Sequence, residues 1–200
     1  MMYNTTQAET WYKAHIATVL NRRNTLTNTL YKEDPTILSW QLANEPQPAN
    51  PDSYLGAYGL TYPPNPSDPL LPWIARISAY IAALAPNHLV SVGLESKQGE
   101  WYFKRVHEMP HVSYATAHCW VQNLGIYDMY NASLSNLQAA NDFAREFIGN
   151  TSRWAEELGK PILLEEFGMA RNNWENEGKE YPYLSSAGAS PPPPPFSPTH

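Results

Sequence analysis

Residues 161–168 read PILLEEFG, an apolar run of strand type that ends in two adjacent glutamates. Proline opens the run and glycine closes it, as expected of a strand bounded by breakers. A strand sends neighbouring side chains to opposite faces, so Ile162, Leu164 and Glu166 are expected on one face and Leu163 and Glu165 on the other. Only one of the two acids can then face a common cleft, and the other faces the helix layer or a structural partner.

Working outward, the same rhythm repeats towards the N-terminus. A long helix over roughly 136–158 precedes PILLEEFG, and before it come the strand VSYATAHCW (112–120) and a helix near 99–109. HLVSVGL (88–94) is the next strand, preceded by the helix LPWIARISAYIAALAP (71–86), which Pro86 stops. ILSWQLA (37–43) is a further strand that ends at NEPQP, and an amphipathic helix is expected over Thr10–Leu30. Four strands separated by helices, each connection long enough to cross over, indicate parallel βα units and an α/β class. Periodicity leaves a doubly wound sheet and a (β/α)8 barrel both open. Neither G-x-G-x-x-G nor a phosphate loop follows any strand, which weighs against nucleotide binding.

Residues 49–72, rich in proline, tyrosine and glycine, are expected to form a long connection. Residues 1–184 make one domain on this reading, and SSAGASPPPPPFSPTH (185–200) is a low-complexity tail that favours polyproline II. The 200-residue chain is 42% hydrophobic with a formal charge of −6, which suits one soluble domain and argues against a nucleic-acid partner. Cys119 is the only cysteine, so no intrachain disulfide can form. No apolar run approaches the roughly 18 residues of a membrane span, and MMYNTTQAETWYKAH carries no export signal. No membrane partner is expected.

In parallel α/β folds the C-terminal ends of the strands carry the site. Here those ends offer Asn44 and Glu45, then Glu95, then His118 and Trp120, and finally Glu165 and Glu166. Alternation groups His118 and Trp120 with Tyr114 and Thr116, and Glu45 with Gln41 and Ala43. Two carboxylates in one cleft, one protonated and one ionised, are what glycoside hydrolysis requires. An aromatic ring such as Trp120 would stack on a sugar face, and an amide such as Asn44 would bind its hydroxyls.

WQLANEP (40–46), HCW (118–120) followed by VQNLGIYD, and KPILLEEFG (160–168) resemble the strand 4, 6 and 7 signatures of glycoside hydrolase family 5. NRRNTLTNTLYKEDPTILSWQLANEP and APNHLVSVGLES look like the endo-β-1,4-mannanases of that family. The resemblance implies a partial (β/α)8 TIM barrel in which strands 1–3 and strand 8 have no counterpart. It implies Glu45 as acid/base, Glu166 as nucleophile, and Asn44, His118 and Trp120 as substrate-binding residues, with no cofactor and no metal. It also implies a β-mannan or related substrate, an extracellular location and a monomer when the barrel is complete. A β-1,4-endoglucanase is the neighbouring alternative. The alternative from another class is an inactive fragment with at most weak carbohydrate binding, in which the glutamates are structural ion-pair partners.

HEMPH (107–111) matches the spacing of a zinc-protease helix. That chemistry needs both histidines on one face of an intact helix, and Pro110 would break the turn between them.

Overall fold

The computed structural model describes residues 3, 5–48, 65–128, 130–131 and 133–169. The expected tail at 185–200 and most of the expected connection at 49–72 lie outside the described residues. Helices α1 (Thr6–Leu20), α2 (Leu70–Leu84), α3 (Glu100–His107) and α4 (Leu134–Glu157) alternate with strands β1 (Ser39–Gln41), β2 (Leu89–Ser91), β3 (Ala115–Trp120) and β4 (Ile162–Gly168).

Both ladders are parallel: Gln41 faces Ser91 across β1 and β2, and Ala115 faces Ile162 across β3 and β4. Between β2 and β3 side-chain hydroxyls share the ladder's work. The Ser113 N–H donates to the Val90 carbonyl at 2.7 Å and the His118 N–H to the Glu95 carbonyl at 3.0 Å. Between these, Ser91 Oγ donates to the Tyr114 carbonyl, Ser96 Oγ to that of Thr116, and Thr116 Oγ1 to that of Leu94. The four strands therefore lie side by side in chain order, as sequential βα units do.

Helices cover one face of this arc. Ile16 and Leu20 of α1 and Trp73, Ile74, Ile77 and Ile81 of α2 pack with Leu42, Val90 and Val92. Ala117 and Cys119 of β3 pack with Ala140 and Phe147 of α4, and Ile162 joins both clusters behind β3. Burying each large apolar side chain contributes about 1.5–3 kcal/mol, so these contacts decide which strand face turns away from the site.

The first helix is shorter than its apolar spacing predicts, ending at Leu20 rather than Leu30. The stretch beyond holds Asn21, Asn24, Thr27, Asn28 and Thr29, whose short polar side chains compete for backbone groups. Asn24 Oδ1 accepts from the Leu26 and Thr27 N–H groups, Asn28 takes φ of 59°, and Arg23 bridges Leu30 antiparallel. Leu26 is 93% exposed, so it has no core to join.

Candidate active site

The loop after β1 brings in Glu45. Ser39 and Gln41 point away from the helices, where Ser39 Oγ lies 2.6 Å from the Tyr114 hydroxyl and Gln41 Nε2 donates to Glu165 Oε1. The chain then bends: the Ala43 N–H donates to the Val92 carbonyl, and the Glu45 N–H to the Gly93 carbonyl at 2.8 Å. Glu45 sits at φ of 48°. That left-handed conformation costs a non-glycine residue about 1–2 kcal/mol. Gln47 holds the bend, because its Nε2 donates both to the Glu45 carbonyl at 3.2 Å and to Glu95 Oε1. Lys97 Nζ pairs with the same carboxylate at 2.6 Å. Burial pushes the Glu95 carboxyl up, against the pull of the Lys97 and Gln47 hydrogen bonds, and the nearby Glu45 adds to the rise. Asn44 is exposed at the turn itself.

Glu166 arrives differently, and here strict alternation fails. Ala117 pairs with Leu164 but His118 pairs with Glu166, so Glu165 is an extra residue in the β4 ladder, a β-bulge. Before the bulge Ile162 packs on the helix layer and Leu164 lies over α4 beside Ala140 and Ala144. Leu164 and Glu166 therefore do not share a face. Both glutamates reach the site: Glu165 Oε2 lies 3.4 Å from His118 Nε2, and Glu166 Oε1 lies 3.6 Å from His118 Nδ1. The expectation that Glu165 faces the helix layer is thus corrected: Ile162 and Leu164 take the helix side, so alternation turns Glu165 to the site, and the bulge brings Glu166 to the same side.

Trp120 closes this end. Its indole Nε1–H donates to Glu166 Oε2 at 2.9 Å. The ring lies over Gly168, its partner across the ladder, where an added Cβ would come within 2.5 Å of a ring carbon. Glycine after Phe167 therefore has a physical reason: it is the floor on which the indole rests.

His118, 3% exposed, is the hub. Its Nδ1 lies 2.8 Å from Glu45 Oε1, so one imidazole touches carboxylates from the β1 loop on one nitrogen and from β4 on both. One oxygen each of Glu45 and Glu166 and a ring nitrogen of His118 lie within 4.8 Å of one another. Three such donors could accept a small cation, yet each carboxylate already meets a hydrogen-bonding ring, Glu45 the imidazole of His118 and Glu166 the indole of Trp120, which is how acid–base residues are usually held. The structure brings Glu45, His118, Trp120 and Glu166 together and sets Asn44 beside them on the exposed turn. Gln41, Gln47 and Glu165 also belong to the site. Gln41 and Glu165 follow from strand alternation once the buried face is known, whereas the bend after β1 that places Gln47 leaves no residue signature.

The HEMPH segment forms no metal helix. α3 ends at His107, which is fully buried against Phe103, and His111 lies exposed beyond Pro110.

Residues 1–188 match the family model described as glycoside hydrolase family 5 β-mannosidase-like. Among solved structures, the family 5 mannosidase from Rhizomucor miehei superposes with a TM-score of 0.72 at 43% identity, covering 88% of this chain and 38% of that one. Mannan endo-1,4-β-mannosidase 1 from Arabidopsis thaliana is 30% identical over 84% of this chain and 41% of its own length. Mannan endo-1,4-β-mannosidase 7 from the same plant is 31% identical over 80% of this chain and 36% of its own. The chain thus spans about two fifths of the length of the curated relatives it matches.

Proposed function

The chain belongs to the β-mannosidase-like members of glycoside hydrolase family 5, and from that premise we propose that it carries the catalytic strand ends of a retaining β-1,4-mannanase. Glu166 is the nucleophile: Trp120 ties up Oε2, and Oε1 attacks the anomeric carbon to form a glycosyl ester. Glu45 protonates the departing glycosidic oxygen and, in the second half, removes a proton from the water that hydrolyses the ester. Asn44, at the rim, hydrogen-bonds a sugar hydroxyl.

The observation that carries this reading is the approach of Glu45 and Glu166, with carboxylate oxygens within 4.8 Å across His118. Retaining enzymes hold their carboxyl groups about 5–5.5 Å apart, and inverting enzymes leave about 6.5–9.5 Å for a water. The short separation supports double displacement. β1 to β4 correspond in this proposal to strands 4–7 of a (β/α)8 barrel, acting as a monomer when complete. An extracellular location goes with the polymeric substrate in this reading.

A second reading, an exo-acting β-mannosidase, is favoured by the 43% identity to the Rhizomucor miehei mannosidase, above the 30% to the Arabidopsis mannanase. A variant of that fungal enzyme is described in complex with mannosyl-fructose. Product analysis separates the two: purified chain on β-1,4-mannan is expected to release manno-oligosaccharides, where an exo-enzyme releases mannose alone. Glu166→Gln and Glu45→Gln are each expected to lower the rate on mannan by about 10³-fold. A folded chain that releases neither product from mannan overturns both readings.

A further inference from the structure

Glu165 stands inside the site, and the double displacement described above gives it no task. Its carboxylate is held at both ends: Gln41 Nε2 donates to Oε1, and Oε2 lies 3.4 Å from His118 Nε2. On the other side of the ring, Nδ1 lies 2.8 Å from Glu45 Oε1. The groups facing this imidazole are thus Glu45 from the β1 loop and Glu165 and Glu166 from β4. β2 contributes the Glu95 carbonyl, which accepts the His118 backbone N–H, and the Glu95 carboxylate is engaged by Lys97 and Gln47.

A neutral imidazole carries one N–H, and the acceptor beside each nitrogen decides which one bears it. An ionised carboxylate that receives a hydrogen bond from Gln41 has no proton to give, so at Nε2 it can only accept. Nε2 then carries the proton and Nδ1 presents a lone pair to Glu45.

Resting on the double-displacement reading, we propose that Glu165 is a positioning residue: by accepting the Nε2–H of His118 it fixes the tautomer whose Nδ1 accepts from the protonated carboxyl of Glu45. The transferable proton stays on Glu45 until the leaving glycosidic oxygen takes it, and the attacking water returns it in the second step. His118 and Glu165 exchange no net proton. In the opposite tautomer Nδ1–H would donate to Glu45 and stabilise its carboxylate, leaving it without the proton it must pass to the leaving oxygen.

Glu165→Gln tests this without changing shape. The amide has one oxygen, which Gln41 Nε2 claims, and its NH2 then faces His118 Nε2, which must become an acceptor. Nitrogen-15 NMR of histidine-labelled chain, with the His118 signals assigned by their loss in His118→Asn, is expected to show Nε2–H in the wild type and Nδ1–H in Glu165→Gln. The kcat on mannan is expected to fall about 10²-fold. An aryl mannoside whose leaving group needs no protonation should be hydrolysed at an almost unchanged rate, and Glu165→Asp should restore much of the activity on mannan. A wild-type imidazole protonated at Nδ1, or a spectrum that Glu165→Gln leaves unchanged, overturns the proposal. A wild-type chain that folds but hydrolyses nothing overturns the mannanase reading instead, and the spectrum still decides the tautomer.

Discussion

The loop after β1 and the end of β4 each deliver a carboxylate to His118, but by opposite means. Glu45 arrives on a turn after a three-residue strand, held in the left-handed region by a backbone bond to Gly93 and a side-chain bond from Gln47. Glu166 arrives inside a seven-residue strand, in a ladder that absorbs an extra residue and then resumes. Burial runs the other way. Leu42, Val90 and Val92 behind the short pair are sealed by α1 and α2, whereas Leu163, Leu164 and Phe167 of β4 are among the exposed large apolar residues. One end of the site is positioned by packing and a strained turn, the other by hydrogen-bond register.

That contrast is broken most directly at Gly93. It lies at φ of 75°, and an added Cβ would come within 2.1 Å of the Ala43 carbonyl oxygen. The obstacle is backbone, the same backbone that leads into Glu45, so it cannot give way without moving the acid. Gly93→Ala is expected to destabilise the chain by about 3 kcal/mol, from left-handed strain plus overpacking. Urea unfolding measures the loss. A midpoint within experimental error of the wild type would show that the β1 turn is not the rigid element described.

Much of this was legible in the sequence. The apolar runs and their proline and glycine stops located all four strands, because a buried parallel strand is read from composition. The residue types at the strand ends marked the candidate site, because Glu45, His118, Trp120 and Glu166 all stand at strand ends and the structure brings them together. The bulge at Glu165 was not legible. PILLEEFG alternates equally well in either phase, and only the pairing with HCW, a long-range fact, decides that Leu164 turns to the helices while Glu165 turns to the site. The end of α1 was missed for a local reason, the asparagine side chains that cap their own turns. The Gln47–Glu95 latch joins residues 48 apart, and nothing local announces it.

A second experiment loosens the β3–β4 end selectively. His107 is buried beneath β3, where its Nε2 accepts weakly from the Thr116 N–H. Burial holds its protonation down to about 3, with the Phe103 backbone opposing the effect and the Lys160 charge adding to it. The unfolded chain protonates a histidine near 6.5. Above that pH both states are neutral and stability is full; as pH falls from about 6.5 towards about 3 only the unfolded state gains the proton, so stability drops. The slope contributed by this one group is at most about 1.4 kcal/mol per pH unit. Urea melts at pH 7.5 and pH 5 should therefore differ by more in the wild type than in His107→Gln. Amide protection factors, referred to the intrinsic exchange rate at each pH, should fall at the lower pH in α3 and β3 before β1 and β2.

Gly168 sharpens the comparison, since the same substitution meets a different obstacle there. A Cβ at Gly168 would lie within 2.5 Å of a Trp120 ring carbon, but the obstruction is a side chain and the backbone needs no left-handed turn. The indole can tilt, so Gly168→Ala is expected to cost only about 1 kcal/mol of stability, well below the loss at Gly93. The tilt removes the Nε1–H that holds Glu166 Oε2. Glu166 is partly exposed and can take a hydrogen bond from water instead, so the stability loss stays at about 1 kcal/mol, while the loosened carboxylate should slow hydrolysis of mannan by about tenfold. Trp120→Phe, which deletes the donor and keeps the ring over the glycine, should reproduce the slower rate with unchanged folding. If Gly168→Ala instead unfolds the chain as severely as Gly93→Ala, β4 is as rigid at its end as the β1 turn, and register alone does not position the nucleophile.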